Sequence, residues 1–251
     1  MNQKSRDTTH FGYRDVPIAE KQRLVGRVFS SVAHEYDRMN DLMSLGVHRL
    51  WKRHFAATSG VRSGQRVLDL AGGTGDVAAL LSERVGNGGL VVLGDINADM
   101  LTVGRDRLFD RGMFGNVRYV RLNAEALPFP EAHFDAVTIA FGLRNVTDKL
   151  AALKEMRRVS RPGGKVLVLE FSEVRLSPLK PVYDLYSFKV LPWLGERVAG
   201  DADSYRYLAE SIRKHPNQEA LANLMREAGL ECVEYRNLSA GIVAIHSGVR
   251  L

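Results

Sequence analysis

The stretch that most constrains this chain runs from Gln65 to Ala78, QRVLDLAGGTGDVA, where a short apolar run stops at three glycines and continues as helix-like sequence. Val67, Leu68 and Leu70 have the β-branched and aliphatic character of a buried parallel strand. Gly72, Gly73 and Gly75 permit backbone conformations and close approaches that a Cβ would block. A strand, a tight turn and a helix start follow one another, with free backbone N–H groups facing a ligand. Twenty residues past Gly75 a second apolar run, Leu90 to Gly94, ends in Asp95, and an acid at the tip of a second strand suits a ribose diol. Turn and acid together predict a nucleoside-containing cofactor.

The alternation continues. Asp76 to about Arg84 reads as a helix with an acid in its first turn, and Ala98 to about Arg111 as another. Val117 to Leu122 is a third strand ending at Asn123-Ala124, where an amide can reach an adenine edge. Leu127-Pro128-Phe129-Pro130 forces an extended turn, and His133 to Phe141 is strand four, opening into Gly142-Leu143-Arg144-Asn145. Thr147 to Ser160 is helical, with Ala152, Leu153, Met156 and Val159 on one side, and Arg161-Pro162-Gly163-Gly164 ends it. Lys165 to Phe171 is an almost wholly apolar fifth strand. These units predict an α/β, doubly wound parallel sheet whose ligands sit beyond the strands' carboxyl ends, where Gly72–Gly75, Asp95, Asn123 and Arg144 all fall. Asn217 to Ala228 is an amphipathic helix, and strands at about Leu230 to Tyr235 and Gly241 to His246 form an antiparallel hairpin that closes a seven-stranded sheet.

Residues 1–17 show no period and are expected to form a disordered, mobile arm, with residues 18–251 as a single domain. Val25, Val28, Phe29 and Val32 recur at helical spacing between Ile18 and Ser44, and a helix from about Val47 to Thr58 uses Leu50, Trp51 and Phe55. Because residues 18–60 precede the first strand, they are expected as lid helices over the mouth of the sheet; the alternative is a packing layer. The aromatic insertion at residues 178–203, with Tyr183, Tyr186, Phe188 and Trp193, reads either as a helix packed on the core or as an apolar groove or membrane-touching patch.

With 251 residues, 45% of them apolar and 25% charged, one main core is expected. The net charge of +6 would suit nucleic acid, an anionic membrane surface or an acidic substrate, yet the basic residues are scattered in ones and twos, as on solvated helix faces. A single cysteine, Cys232, excludes an internal disulfide, points to a reducing, cytoplasmic home and is expected to be a small core residue. No run approaches the roughly 18–20 apolar residues that cross a bilayer. The histidines form no i, i+4 pair and no carboxylate-rich loop, so no metal is expected.

Gly73-Thr74-Gly75-Asp76-Val77-Ala78 satisfies G-x-G-x-x-G/A, so a nicotinamide dinucleotide must be weighed. A dinucleotide fold needs a second mononucleotide half, and this chain offers five strands and then an antiparallel pair. S-adenosylmethionine (SAM) asks for less: a glycine turn under its amino-acid part, an acid for the ribose and a polar group for adenine, which the sequence supplies in that order.

Phe29-Ser30 and Tyr36-Asp37-Arg38-Met39-Asn40-Asp41-Leu42-Met43-Ser44, followed by Gly46, His48-Arg49 and Trp51-Lys52, resemble the N-terminal signature of the ubiquinone/menaquinone biosynthesis C-methyltransferase family, UbiE/MenG. Asn123-Ala124-Glu125-Ala126-Leu127-Pro128-Phe129 and Phe141-Gly142-Leu143-Arg144-Asn145-Val146 resemble its later motifs. The resemblance covers about residues 25 to 250. It implies SAM-dependent methylation of a ring carbon on a polyprenylated quinol, converting demethylmenaquinol to menaquinol and 2-polyprenyl-6-methoxy-1,4-benzoquinol to its 5-methyl product. It also implies that Thr74, Asp95, Asn123 and Ala124 contact SAM; with Asp69, Gly72, Gly73 and Gly75 these make up the expected cofactor set. Relatives often carry serine where Ala140 stands, so a side-chain hydrogen bond to the cofactor is not expected there.

A phenol titrates near pKa ~10, and its ring carbon becomes strongly nucleophilic only as the phenolate. Arg144 is expected to stabilise that charge, with Asn145 orienting the ring oxygen or a water; the competing reading of Arg144 is an ion pair with Asp148. Tyr36 could relay the proton or face the sulfonium with its ring, or simply pack in the lid. A nucleic-acid methyltransferase would share fold and cofactor, yet the turn after strand four is Gly-Leu-Arg-Asn rather than Asn/Asp-Pro-Pro-aromatic, and the one cysteine sits on a late strand. A small-molecule O- or N-methyltransferase and a non-catalytic SAM-sensing protein remain as rivals. The expected partners are the quinol and, through its tail, the inner membrane face or a quinone-biosynthesis complex, with no nucleic acid and a homo-oligomer left open.

Overall fold

The computed structural model of the chain describes residues 8–33, 40–41, 44–176, 178, 185–186, 189, 197 and 202–251. Residues 8–17, expected within a structureless arm, instead form a hairpin: β1 (Thr8–Phe11) pairs antiparallel with β2 (Arg14–Pro17). Phe11 is buried and stacks on Tyr207, with ring centroids 4.2 Å apart. A contact across so much sequence leaves no local period, which is why the stretch reads as unstructured. Among the described residues α1 (Ile18–Val32) and α2 (His48–Thr58) follow. Trp51 and Phe55 of α2 are buried as expected, but Leu50 is 60% exposed and faces away from the core.

From there strands and helices alternate: β3 (Arg66–Leu70), α3 (Asp76–Val85), β4 (Leu90–Asp95), α4 (Ala98–Asp110), β5 (Val117–Arg121), β6 (Phe134–Ala140), α5 (Lys149–Val159) and β7 (Ser160–Phe171). The chain ends with α6 (Ala202–Lys214), α7 (Gln218–Glu227), β8 (Glu231–Leu238) and β9 (Val243–Val249). The last seven strands form one sheet in the order β5-β4-β3-β6-β7-β9-β8, parallel from β5 to β7 and antiparallel for β9 and β8. The doubly wound sheet with its closing hairpin is the fold the sequence predicts.

Both faces of the sheet are buried because successive side chains alternate. Val67 and Leu167 join Trp51, Phe55, Val77 and Leu81 on one face, while Leu68, Val166 and Val168 join Leu153, Met156, Leu221 and Met225 on the other. The chain runs outward through β3, β4 and β5, then returns to lay β6 on the other side of β3. That reversal opens a crevice at the carboxyl ends of β3 and β6.

Two details differ from expectation. β7 begins at Ser160, before the Pro162-Gly163-Gly164 run, with a register shift opposite Phe134 and Ala136. Cys232 is exposed, with φ +50 at the register shift of the outer strand β8, because the irregularity turns it away from the core. Most of the aromatic insertion, and Tyr36 with the polar residues around it, lie outside the described residues.

Candidate active site

The two loops at the crevice are both tightly wound. Ala71, just past β3, and Phe141, just past β6, have φ of 48 and 55, a left-handed conformation uncommon outside glycine and costly to hold. A Cβ on Gly72 would come within 2.9 Å of Leu93 Cγ and 3.2 Å of Asp69 Oδ2. Gly75, at φ +84, is the N-cap of α3 and donates its N–H to the Gly72 carbonyl at 2.9 Å. The glycines thus let the turn pack closely against Leu93, Leu108 and Asp69 beneath the crevice.

That crevice is a cavity of about 250 Å³. Its sheet side carries Gly73, Asp95, Asn123, Ala124 and Asn145, and the opposite wall is α1, through Ile18, Gln22, Val25, Gly26 and Phe29. A smaller adjoining pocket shares Ala71, Gly73 and Phe141 with it and adds Asp69, Gly72, Thr74, Asp76, Ala140 and Lys52. Of the residues expected in the site, eight therefore meet around two joined hollows. Gly75 and Arg144 line neither.

Asp95 is buried, and its two oxygens accept from Gly73 N at 3.0 Å and Asn97 N at 2.9 Å. Burial pushes its pKa up, opposed by those backbone donors. Asp69 is 1% exposed; its Oδ1 accepts from Thr138 Oγ1 at 2.7 Å, and its Oδ2 has no hydrogen-bond partner. Burial pushes the Asp69 carboxyl up to about 7. Asn123 Oδ1 accepts from the Glu125 backbone N–H at 3.0 Å, and Glu125 in turn accepts from Thr147 N and Asp148 N, tying the loop after β5 to the start of α5.

Arg144 is 4% exposed, and its NH1 pairs with Glu170 Oε1 at 2.9 Å while also donating to the Phe141 carbonyl. Glu170 Oε2 accepts from the Arg144 backbone N–H at 3.2 Å. The expected alternative partner, Asp148, instead caps α5 by accepting from Ala151 N at 2.9 Å. Arg144 Nε is buried without a partner. Asn145 lies on the cavity wall, and Tyr207 OH donates to its Oδ1 at 2.9 Å.

Three residues at the site carry no signal that sequence reading used. Asn97, two residues past Asp95, caps α4 and donates to the Gly26 carbonyl and Ser30 Oγ, each at 3.0 Å. Lys21, 1% exposed on α1, donates to the Val146 carbonyl at 3.4 Å. Lys52 comes from α2, in a motif noted only as part of a resemblance, and donates to Asp76 Oδ2 at 2.8 Å.

The model of the ubiE/COQ5 methyltransferase family matches residues 17–250. The chain is 66% identical over 244 residues to the ubiquinone/menaquinone biosynthesis C-methyltransferase UbiE of Xanthomonas campestris pv. campestris, spanning 97% of this chain and 96% of that protein. It is 58% identical to the protein of the same name from Proteus mirabilis, over the whole of both chains. Among solved structures, a SAM dependent methyltransferase from Aquifex aeolicus superposes with a TM-score of 0.62 at 17% identity, over 86% of this chain and 98% of that one, a likeness of fold.

Proposed function

The chain belongs to the ubiE/COQ5 methyltransferase family, and we propose on that footing that it moves a methyl group from SAM to a ring carbon of a polyprenylated quinol. The products are menaquinol from demethylmenaquinol, and the 5-methyl product of 2-polyprenyl-6-methoxy-1,4-benzoquinol. It is a SAM-dependent methyltransferase of quinone biosynthesis and takes a quinol as substrate. The near-full-length likeness to quinone C-methyltransferases carries this reading. Neither the nucleic-acid nor the small-molecule O/N alternative is favoured by it.

The residues present fit the cofactor. Asp69 Oδ2, buried and without a partner, is an acceptor that a ligand ammonium would satisfy, and Gly72, where a Cβ would stand 3.2 Å from that oxygen, lets the turn pass close beside it. Each Asp95 oxygen accepts one backbone N–H and keeps a lone pair for a ribose hydroxyl. With Asn123 Oδ1 taken by Glu125 N, the amide's Nδ2 is left to donate to adenine, beside Ala124. Gly73, Thr74 and Gly75 complete the cradle as the turn itself. SAM supplies a methyl bonded to a sulfonium, already a good electrophile.

What the chain must add is positioning, exclusion of water and a phenolate. α1, as a lid, closes the cavity with Val25 and Phe29. Asn145, its Oδ1 held by Tyr207, turns Nδ2 to the ring oxygen or to a water. Arg144, a permanent cation one residue before Asn145, lines neither hollow and so favours the phenolate through its field alone, of which Glu170 offsets part. Tyr36 is the candidate for relaying the proton or stabilising the sulfonium through its ring, the alternative being a packing role in the lid.

The protein acts in the cytoplasm, at the inner membrane face or within a quinone-biosynthesis complex, since the quinol tail is insoluble in water. Among the described residues no helix is long and apolar enough to cross a membrane. The aromatic segment at residues 178–203, rich in Tyr, Phe and Trp, is the expected contact. Cells lacking the protein should accumulate demethylated quinones in their lipid extracts, and the wild-type chain should clear them; an unchanged quinone profile contradicts the reading.

A further inference from the structure

Resting on the methyltransferase reading, we propose that Lys52 is the cationic anchor for the carboxylate of the cofactor's amino-acid end. That end is a zwitterion, and burying it demands a partner for each charge. Asp69 Oδ2 answers the ammonium. The glycine turn offers backbone N–H groups but no cation. Among the described residues that line the smaller pocket, Lys52 is the sole cationic side chain; the remainder are Asp69, Asp76 and neutral groups.

Lys52 does not belong to the nucleotide-binding sheet. It reaches in from α2, with its side chain 9% exposed and Nζ 2.8 Å from Asp76 Oδ2. Its helix is held in place independently: the adjacent Trp51 donates from Nε1 to Ser239 Oγ at 2.9 Å and packs against Phe141 and Phe171, with centroids 6.3 and 6.2 Å away. An ammonium has three donors, and Asp76 uses one. Arg107 also donates to Asp76, to the other oxygen at 3.2 Å, so Asp76 stays compensated when Lys52 shares its charge with a second carboxylate. A pure strut between α2 and α3 would explain the ion pair, but not why the ammonium sits in the wall of a hollow beside an unsatisfied carboxylate oxygen.

Calorimetric binding of two ligands separates these roles. S-Adenosylhomocysteine carries the whole amino-acid end; 5′-deoxy-5′-(3-aminopropylthio)adenosine lacks the carboxylate alone. Lys52→Met should weaken the first at least tenfold, about 1.4 kcal/mol, and leave the second within about twofold of wild type, while Lys52→Arg should recover most of the loss. Equal weakening of both ligands, or none of the first, overturns the assignment. Should Lys52→Met fail to fold, the wild-type protein decides by itself: equal affinity for the two ligands overturns it, and at least tenfold weaker binding of the decarboxylated one supports it. A wild-type protein that binds neither ligand sinks the cofactor reading together with this one, an outcome distinct from binding that ignores Lys52.

Discussion

Asp69 shows at the scale of one residue how the site is built at the expense of stability. Burial raises its pKa to about 7, against a Thr138 hydroxyl and the Ala78 backbone N–H that favour the anion, with Lys52 and Asp95 acting on it in opposite senses. The folded carboxyl therefore keeps a proton that the unfolded chain, titrating near pKa ~3.9, has already lost. Its contribution to stability falls as pH rises from about 4 to the folded value of about 7, and is level above it. Ligand-free Asp69→Asn should consequently gain stability relative to wild type as pH rises from about 4 to about 7 and hold that gain above it, read from denaturant midpoints, and should bind S-adenosylhomocysteine more weakly. A difference in stability that does not vary with pH would contradict the assignment. Arg144 teaches a different lesson at the same scale. Sequence reading placed a cation at the end of β6, and it is there, but Glu170 lies on the next strand and Asp148 on the same loop, and spacing favours the nearer acid. The acid that wins is the one already buried, because a buried carboxylate cannot be left without a partner.

Elements come next in size, and α1 is the one whose placement decides the cavity. Its apolar positions were readable from their period; which of them would face the crevice was not, because that depends on two polar ties. Asn97 reaches Gly26 and Ser30 from the start of α4, and Ser30 Oγ donates to Asp99 Oδ2 at 2.6 Å. Lys21 Nζ holds the other end on the Val146 carbonyl, where Lys149 Nζ also donates, at 3.1 Å. Ser30→Ala loses the hydrogen bonds to Asp99 and from Asn97, and leaves both the Asn97 contact to the Gly26 carbonyl and its cap of α4 intact. With each hydrogen bond contributing about 1 kcal/mol, amide exchange along Ile18–Val32 should quicken at least about fivefold while β3 and β4 are unaffected. Unchanged exchange in α1 would mean that apolar packing alone fixes it. The strands and helices from β3 to α5 were legible nearly residue by residue, since each buries a regular apolar face; β7 was not at its start, where Ser160 to Gly164 lie across a register shift that the Pro-Gly-Gly run conceals. The N-terminal hairpin was not, because Phe11 finds its partner, Tyr207, far along the chain.

At the scale of the whole molecule, the order of strands places the turn after β3 beside the loop after β6, and that juxtaposition makes one site from residues some seventy positions apart. The carboxyl-end location of Gly72, Gly73, Thr74, Asp95, Asn123 and Asn145 could be inferred because a doubly wound sheet has only one such edge. The contribution of α2 could not, since a helix ahead of the first strand has no fixed place in that topology. The two joined hollows differ in character: the smaller carries Lys52, Asp69 and Asp76, and the larger carries Asp95 and Asn123 opposite the apolar residues of α1. On the proposal that the prenyl tail keeps the acceptor in a lipid phase, methyl transfer should be faster when the quinol is offered in vesicles than in detergent. The central claim is carbon methylation of a quinol, and it is tested most directly by supplying the purified protein with SAM labelled in its methyl group and vesicles loaded with demethylmenaquinol. The account predicts one labelled methyl per ring, bonded to carbon, in recovered menaquinol. Label on a ring oxygen, or SAM bound with no label transferred to the quinol, would contradict it.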